Sequence, residues 1–271
     1  MYIHMLTKDS LNIINRFCGM YNIKNIKELK ILYRFLEKNY DNSMIKYNII
    51  NKDVNNDIKI NNPYISNNIV NVINKLKKYT YIQCNIFNNN IKLHIYHNED
   101  NLDNFIDKIL IYIKFMYKIS NHKNDLSIKY YLTNCKKIIK KDKNRNHIFT
   151  NDEINTGSSS IKEINIWRKE EVLKTTIHEL IHYMNLDYRN DTDDIIEYYK
   201  LKYKCSSNIM NTFEGYTDLW AIIINIYLCT KSLNNQFNFF KNMLEIEISF
   251  TIYQCQKILY LSRKNNDIWI D

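Results

Sequence analysis

The stretch that most limits how this chain can fold is residues 178–182, with the sequence His-Glu-Leu-Ile-His. Residues 169–187 around it have apolar side chains at three- and four-residue steps, a pattern that predicts a helix buried on one side. Residues four apart on a helix lie on nearly the same face, so His178 and His182 can bind one metal ion. Glu179 lies about 100° further round, close enough to hold a water molecule on that metal. The sequence therefore predicts a metal site at the margin of a buried helix.

A third ligand is expected after His182, because a catalytic zinc site usually has three protein ligands and one open position. Metzincins carry another His where this chain has Tyr188, and a Gly where it has Asn185. The metzincin pattern is therefore missing, and we expect a carboxylate as the third ligand.

Glu214 fits the third position because it opens a predicted helix after a connecting segment. Asp218 follows one turn later, where a carboxylate can accept a hydrogen bond from the far nitrogen of a metal-bound His and fix its tautomer. A carboxylate near a helix N-terminus is also favoured by the helix dipole without any metal, which leaves the assignment open. The alternative ligands are Asp187, Asp191 and Glu197.

The motif Glu-Gly-Tyr-Thr-Asp at 214–218 resembles the Glu-x-x-x-Asp of thermolysin-like peptidases, and its Glu-Gly pair resembles the aminopeptidase version. The resemblance is to zincin metallopeptidases of the gluzincin type and extends over roughly 161–225. It implies that the metal is Zn²⁺, that Glu179 is the general base and that Asp218 supports one of the ligands. The implied zinc ligands are His178, His182 and Glu214. The connection between the two motifs is longer here than the family usually shows.

A second resemblance concerns the region before the first motif. Gly157 is followed by three serines, and 164–171 reads Ile-Asn-Ile-Trp-Arg-Lys-Glu-Glu. Together with the His-Glu-x-x-His helix, these features are similar to uncharacterised metallopeptidases of large DNA viruses. The abundance of Asn, Ile, Lys and Tyr indicates a GC-poor genome, which suits such a virus and also suits protists.

These resemblances imply a zinc-dependent peptidase that hydrolyses peptide bonds in protein or peptide substrates. In such enzymes zinc activates a water molecule, and Glu179 would take its proton and pass it to the leaving amine. Residues 161–167 are predicted as the strand that pairs with extended substrate. The alternative is a non-catalytic zincin-fold structural or interaction protein that retains the metal, against which the general base argues. A DNA-associated protease of the SprT kind is disfavoured because no His follows His182.

The oxyanion formed during hydrolysis needs a hydrogen-bond donor besides the metal. The sequence offers several donors, most of them close to the two motifs, without singling one out. They are Tyr183, Tyr188, Tyr198, Tyr199, Tyr216, His147 and Arg168.

Composition and charge narrow the list of partners. The net charge of +9 comes mostly from Lys, which a GC-poor genome inflates, and no basic run is interleaved with aromatic residues. We therefore expect no specific nucleic-acid partner.

The N-terminus lacks the apolar region of a signal peptide, and the longest apolar stretch, 219–229, is too short to cross a bilayer. Six scattered Cys without a C-x-x-C pair indicate reduced thiols, so we expect an intracellular protein, cytoplasmic or virion-associated, with no membrane partner.

The pattern of elements predicts an α+β fold: a helix-rich, zincin-like domain with a small mixed sheet and an active-site helix. We divide the chain into an N-terminal helical region, 1–78, and a metallopeptidase domain, 79–271. Within the first region, residues 42–61 are expected to form a loop and a helix is expected to begin at Pro63. A hairpin is expected at 80–97.

Overall fold

The computed structural model describes residues 15–54, 62–139, 149–203 and 210–262, together with Asn12, Ile58 and Ile60. These residues form an α+β fold in which helices combine with one six-stranded mixed sheet, and the predicted fold class is thereby confirmed. Within the same residues, no helix is both long enough and apolar enough to cross a membrane.

The helix around residues 178–182, the helix that begins just before Glu214 and the hairpin all lie where the sequence predicted them. The helices are α1 (Ile26–Asn39), α2 (Asn67–Ile73), α3 (Asp103–Ser120), α4 (Asn151–Ile154), α5 (Val172–Tyr183), α6 (Asp193–Tyr203), α7 (Thr212–Leu233) and α8 (Phe237–Ser262). The strands are β1 (Tyr47–Asp53), β2 (Lys78–Ile86), β3 (Asn89–His97), β4 (Leu126–Tyr131), β5 (Gly157–Ser159) and β6 (Ile164–Ile166).

The strands lie in the order β1-β2-β3-β4-β6-β5. β2 and β3 form the expected hairpin, whose two-residue turn holds Phe87 and Asn88 at positive φ, as a type I′ turn requires. α3 provides the crossover that makes β3 and β4 parallel, and β4 is in turn parallel to β6. β5 runs antiparallel to β6 and forms one edge of the sheet, while β1 forms the other edge.

The core lies between one face of the sheet and helices α3 and α5. Every second residue of β2 and β3 points into it, because side chains alternate along a strand. The buried strand residues include Ile82, Cys84, Ile86, Ile91, Leu93, Ile95, Ile128 and Ile164. Burying each such aliphatic side chain stabilises the fold by about 1.5–3 kcal/mol. α5 packs against α3, β5 and β6, so one side of this helix is fixed in the core.

The structure differs from the sequence-based expectation at two places before the hairpin. The expected loop at 42–61 contains β1, so that prediction was wrong. β1 is an edge strand whose side chains are nearly all exposed, and it therefore lacks the apolar alternation by which a strand is recognised. The helix expected from Pro63 begins only at Asn67, because Ser66 caps it by accepting a hydrogen bond from the Ile69 N–H.

The described chain forms two compact units. One contains the described residues up to Lys38 and from Ile222 onward, and the other contains those of 39–139 and 149–221. All the predicted metal-site residues belong to the second unit. The division does not coincide with the boundary expected at residue 78, and a separate N-terminal region, 1–78, stays a prediction.

Aromatic packing holds the first unit together. The ring of Tyr33 on α1 has centroid distances of 5.7, 5.5 and 5.4 Å to the rings of Tyr227, Phe237 and Phe240. Glu37, one turn further along α1, accepts a hydrogen bond from the Tyr227 hydroxyl at 3.2 Å. α1 is thereby joined to the later part of α7 and to α8.

Candidate metal centre

Helix α5 carries the two predicted imidazole ligands to the margin of the core. Its buried side includes Ile177, Leu180 and Ile181. His178 and His182 lie one turn apart at the wall of a cleft, with 19% and 7% of their side chains exposed. The same helix thus anchors itself in the core and presents both imidazoles to the cleft.

Glu214, in the first turn of α7, completes a triangle of ligand atoms with the two imidazoles. The Nε2 atoms of His178 and His182 are 3.1 Å apart, and Glu214 Oε2 lies 3.2 Å from the first and 3.3 Å from the second. Two atoms bound tetrahedrally to zinc at about 2.0–2.1 Å lie about 3.3 Å from each other. Hydrogen bonds from His178 and then His182 lower the pKa of Glu214 to about 2, so its carboxylate is ionised at neutral pH. The three residues therefore fit one zinc ion.

The charges around the ligands also favour a divalent cation. Four formally charged carboxylates surround the imidazoles and two cationic side chains offset them. When both imidazoles are neutral, as metal binding requires, two negative charges are left for a divalent cation to balance. Without a metal, hydrogen bonds to Asp218 and Glu214 raise the pKa of His178 to about 9 despite its burial, so a proton takes the place of the cation there. The carboxylates are those of Glu179, Glu214, Asp187 and Asp218, and the cations are Lys174 and Arg189. Two nitrogen donors and one oxygen donor suit zinc better than Mg²⁺ or Ca²⁺, which take oxygen ligands.

A carboxylate contacts the Nδ1 atom of each imidazole, on the opposite side of the ring from Nε2. Asp218, the residue expected to support a ligand, has its Oδ1 3.2 Å from His178 Nδ1 and accepts a hydrogen bond from Lys174 Nζ at 2.9 Å. Asp187 Oδ2 lies 2.7 Å from His182 Nδ1. Such contacts fix the tautomer in which Nε2 is free to bind a metal.

Asp187 reaches His182 because α5 ends in a Schellman motif. Asn185 takes a left-handed φ of 52° and donates its N–H to the His182 carbonyl at 3.1 Å. The next amide, that of Leu186, donates to the Ile181 carbonyl at 3.0 Å. This reversal turns the Asp187 side chain, which is fully buried, back against Nδ1 of the imidazole. Asp187, an alternative third ligand in the sequence, therefore lies behind the imidazole of His182 and outside the group of possible ligand atoms.

Arg189 completes the support of the second imidazole. Its Nε donates to Asp187 Oδ2 at 3.0 Å, and its Nη2 donates to the His182 carbonyl at 2.7 Å. Sequence reasoning missed this arrangement because it depends on the turn after α5. The available signal was Asn185, since Asn just past the last helical residue is typical of a left-handed helix end.

The other two alternatives for the third ligand also lie elsewhere. Asp191 accepts hydrogen bonds from the Thr212 N–H, at 3.1 Å, and from its hydroxyl. It thereby fixes the start of α7, the helix that carries Glu214. Glu197 lies exposed on α6. Within the residues that the structure describes, neither carboxylate joins the group of ligand atoms.

Glu179, the predicted general base, is buried between α5 and β5. Burial raises the pKa of its carboxyl, against the lowering effects of His178, His182 and a hydrogen bond with Ser159. A Cβ built on Gly157 of β5 would lie 2.6 Å from Glu179 Oε1, so the carboxylate occupies space that any other side chain would fill. Sequence reasoning noted Gly157 without connecting it to Glu179. The signal was its rarity, because the chain has three Gly.

A cleft of about 640 Å³ runs past the ligand atoms, between β5, α5 and the start of α7. The segment 161–167, expected to lie beside the substrate, does not line it. β6, within that segment, is buried and paired on both sides, with β4 and with β5. The prediction was wrong because β5, the actual edge strand, has three residues, too few to show an alternating pattern.

No donor that the sequence suggested for the oxyanion lines this cleft among the described residues. The Tyr183 hydroxyl donates to the Asp125 carbonyl, and Arg168 is buried with its guanidinium donating to backbone carbonyls. His147 lies outside the described residues. Tyr64, which sequence reasoning did not consider, does line the cleft.

Removing the carboxylate behind His182 is expected to weaken zinc binding. In an Asp187→Ala variant, His182 loses the acceptor that fixes its tautomer, and we expect zinc affinity to fall about 10–100-fold. Competition with a chromophoric chelator measures this. Asp193→Ala removes an exposed acid on α6 and should leave the affinity unchanged. Equal affinities in the two variants would contradict a supporting role for Asp187.

Comparison with known proteins finds little. No protein-family model matches the chain, and no solved structure matches it. A protein of Acanthamoeba polyphaga mimivirus, described as uncharacterised, is 26% identical to it over 113 residues. The match covers 40% of this chain and 28% of the viral protein, so the chain spans less than a third of that relative's length. The relative therefore links this chain to a viral protein by similarity, and its description names no activity.

Proposed function

We propose that this protein is a zinc-dependent peptidase. The observation that carries the proposal is the triangle of ligand atoms, with sides of 3.1, 3.2 and 3.3 Å, next to a buried carboxyl on the same helix. His178, His182 and Glu214 would hold the zinc. Three protein ligands leave a fourth position for water or substrate, which distinguishes a hydrolytic zinc site from a closed structural one.

When bound, zinc would lower the pKa of a coordinated water molecule and polarise the scissile carbonyl. Glu179 would take a proton from the attacking water and deliver it to the leaving amine. Its burial suits this exchange, because burial raises the pKa of the carboxyl towards neutral pH, where a group can both accept and release a proton. Asp218 and Asp187 would keep both imidazoles oriented throughout.

Protein or peptide substrates are supported by the strand at the cleft. β5 pairs with β6 on one side, and its other edge has no strand partner among the described residues. An extended peptide can add to such an edge through main-chain hydrogen bonds. Gly157, Ser158 and Ser159 of β5 all line the cleft, so a peptide added there would pass the ligand atoms.

The alternative is a non-catalytic zincin-fold protein that retains the metal for structure or interaction. A structural site needs no general base, yet Glu179 is kept buried beside the ligands and Gly157 leaves room for its carboxylate. This close fit favours catalysis.

The mimivirus relative supports an origin in a large DNA virus. We further propose an intracellular protein, cytoplasmic or virion-associated, that acts without a membrane partner.

Zinc content tests the metal site directly. Purified protein is expected to contain about one zinc per chain, and His178→Ala and Glu214→Ala should both lose it. Glu197→Ala is the matched control, because this exposed carboxylate on α6 should not affect metal content. Elemental analysis after dialysis against a weak chelator measures the result. Zinc that survives the double change His178→Ala and His182→Ala would refute the site.

A further inference from the structure

A face of the sheet that the proposed function does not use carries aromatic rings and lysines. It is the part of the side turned away from α3 and α5 that lies beyond Tyr96 and Tyr131, which pack against α2, and we call it the aromatic–basic face. Its residues are Ile50, Lys52, Tyr79, Tyr81, Lys92, His94 and Lys129. They come from four strands, so no single stretch of sequence shows them together. The sequence-based expectation of no specific nucleic-acid partner considered contiguous runs and could not include this face.

Strand register aligns these rings across the sheet. Tyr81 stands opposite His94, and His94 stands opposite Lys129, in one row. The rings of Tyr81 and His94 have centroids 5.1 Å apart, and the Tyr79 hydroxyl lies 2.8 Å from His94 Nδ1. The rings are half-buried and border an open hollow of about 510 Å³. Part of the ring surface is therefore accessible to a ligand.

Two cations at the hollow are not neutralised. Lys52 and Lys92 both line it and are exposed, and in the described part of the chain neither has a carboxylate oxygen within 4.0 Å. Lys129 differs, because its Nζ is 2.7 Å from Glu163 Oε2. The aromatic–basic face is therefore net positive, and it combines free cations with accessible rings.

We propose that the aromatic–basic face binds single-stranded nucleic acid without sequence preference. The bases of a single strand stack on aromatic rings while lysines contact the phosphates, and this combination tolerates any sequence. In a duplex the bases stack on one another, so none is available to stack on the aromatic rings of the protein. An acidic peptide would engage the lysines and leave the rings unused.

Cross-strand ring pairs also stabilise a sheet when no ligand is present. That role accounts for the contacts among Tyr79, Tyr81 and His94. It gives no reason for Lys52 and Lys92 to flank the same hollow without acidic partners, whereas nucleic-acid binding accounts for both features. The proposal goes beyond the peptidase activity and does not depend on the zinc site.

The test is fluorescence anisotropy of a labelled oligo(dT) of about 12 nucleotides with the full-length protein. Wild type is expected to bind, and the logarithm of its binding constant should fall with the logarithm of the salt concentration with a slope of about −1.4. This is the value for two phosphate contacts on a single strand. Tyr81→Leu should weaken binding about fivefold or more, the effect of losing one stacked base. Changing Lys52 and Lys92 to Ser should flatten the salt slope.

Two control variants distinguish binding at the aromatic–basic face from attraction by the overall charge and from loss of the Tyr81 hydroxyl. Tyr81→Phe keeps the ring and loses the hydroxyl contact to Gln83, so it should bind like wild type. Lys108→Ser removes an exposed cation on α3, which packs on the opposite side of the sheet, and should also bind like wild type.

Three results would overturn the proposal. The first is a loss in Lys108→Ser equal to that in a single Lys92→Ser variant made alongside the double change, because the net charge of +9 would then explain the binding. The second is no binding at low salt. The third is equally tight binding of poly-glutamate that Tyr81→Leu does not weaken, which would indicate an acidic protein partner. Removing zinc should leave binding unchanged, so a failed peptidase proposal would not affect this test.

Discussion

Peptide hydrolysis is expected to disappear in a Glu179→Gln variant that still binds about one zinc per chain. Gln has the same shape and can keep the hydrogen bond with Ser159, but it cannot accept and return a proton. Loss of a general base lowers kcat by about 10²–10⁴-fold. KM should change little, because Glu179 takes part in proton transfer and does not hold the substrate in the ground state. Cleavage of a quenched fluorescent peptide library, followed by steady-state kinetics on the best substrate, measures the effect.

The control for this variant is Glu170→Gln, which changes an exposed carboxylate just before α5. It should keep full activity and full zinc content. Unchanged kcat/KM in Glu179→Gln would contradict the general-base role. Loss of zinc in Glu179→Gln would instead mean that the change disturbs the ligands, and a second variant, Glu179→Asp, would then separate proton transfer from metal binding.

Gly157→Ala is expected to lower activity about 100-fold although Gly157 has no reactive group. Its Cβ would lie 2.6 Å from Glu179 Oε1 and 2.7 Å from Thr175 Cγ2, closer than any stable contact. Either the carboxylate or β5 must move, and a displacement of about 1 Å at a catalytic group can reduce the rate about 10²-fold. Overpacking should also lower the free energy of unfolding by about 1–3 kcal/mol. Kinetics, zinc content and urea denaturation together measure these effects.

Gly215→Ala is the matched control, because Gly215 also lines the cleft, next to Glu214. A Cβ there meets no atom within 4 Å, and α7 should gain up to about 1 kcal/mol in stability from the better helix former. Activity should therefore be unchanged in Gly215→Ala and reduced in Gly157→Ala. Equal activity in the two variants would refute the inference that Gly157 makes room for the general base.

The helices could be predicted from sequence to a large extent, and the edge strands could not. α5, α7 and α8 have apolar residues repeating over several turns, so their existence and approximate bounds are visible in the sequence. β1 escaped prediction because it is exposed on nearly every side chain, and β5 because it has three residues. Both strands are held by backbone hydrogen bonds to a neighbour, which leave little mark on side-chain composition.

At the candidate site, the residues on one helix could be predicted and those from separate segments could not. His178, Glu179 and His182 follow from spacing alone. Glu214 was one of several acids in reach along the chain, favoured by a resemblance. Its Oε2 lies near both Nε2 atoms, whereas Asp187 lies behind an imidazole. That distinction depends on the Schellman turn after α5 and on the placement of α7.

Sequence alone was sufficient for the α+β class and for a pair of imidazoles beside a carboxyl, because helix pitch is a local property of the backbone. Four-residue spacing puts two side chains on one face of a helix whatever surrounds it. The tertiary structure decided everything that requires distant segments to meet. Gly157 faces Glu179, Glu214 meets both imidazoles, and rings from two strands border one hollow. Those contacts depend on how the core packs and on strand register, and neither is encoded in a short stretch of sequence.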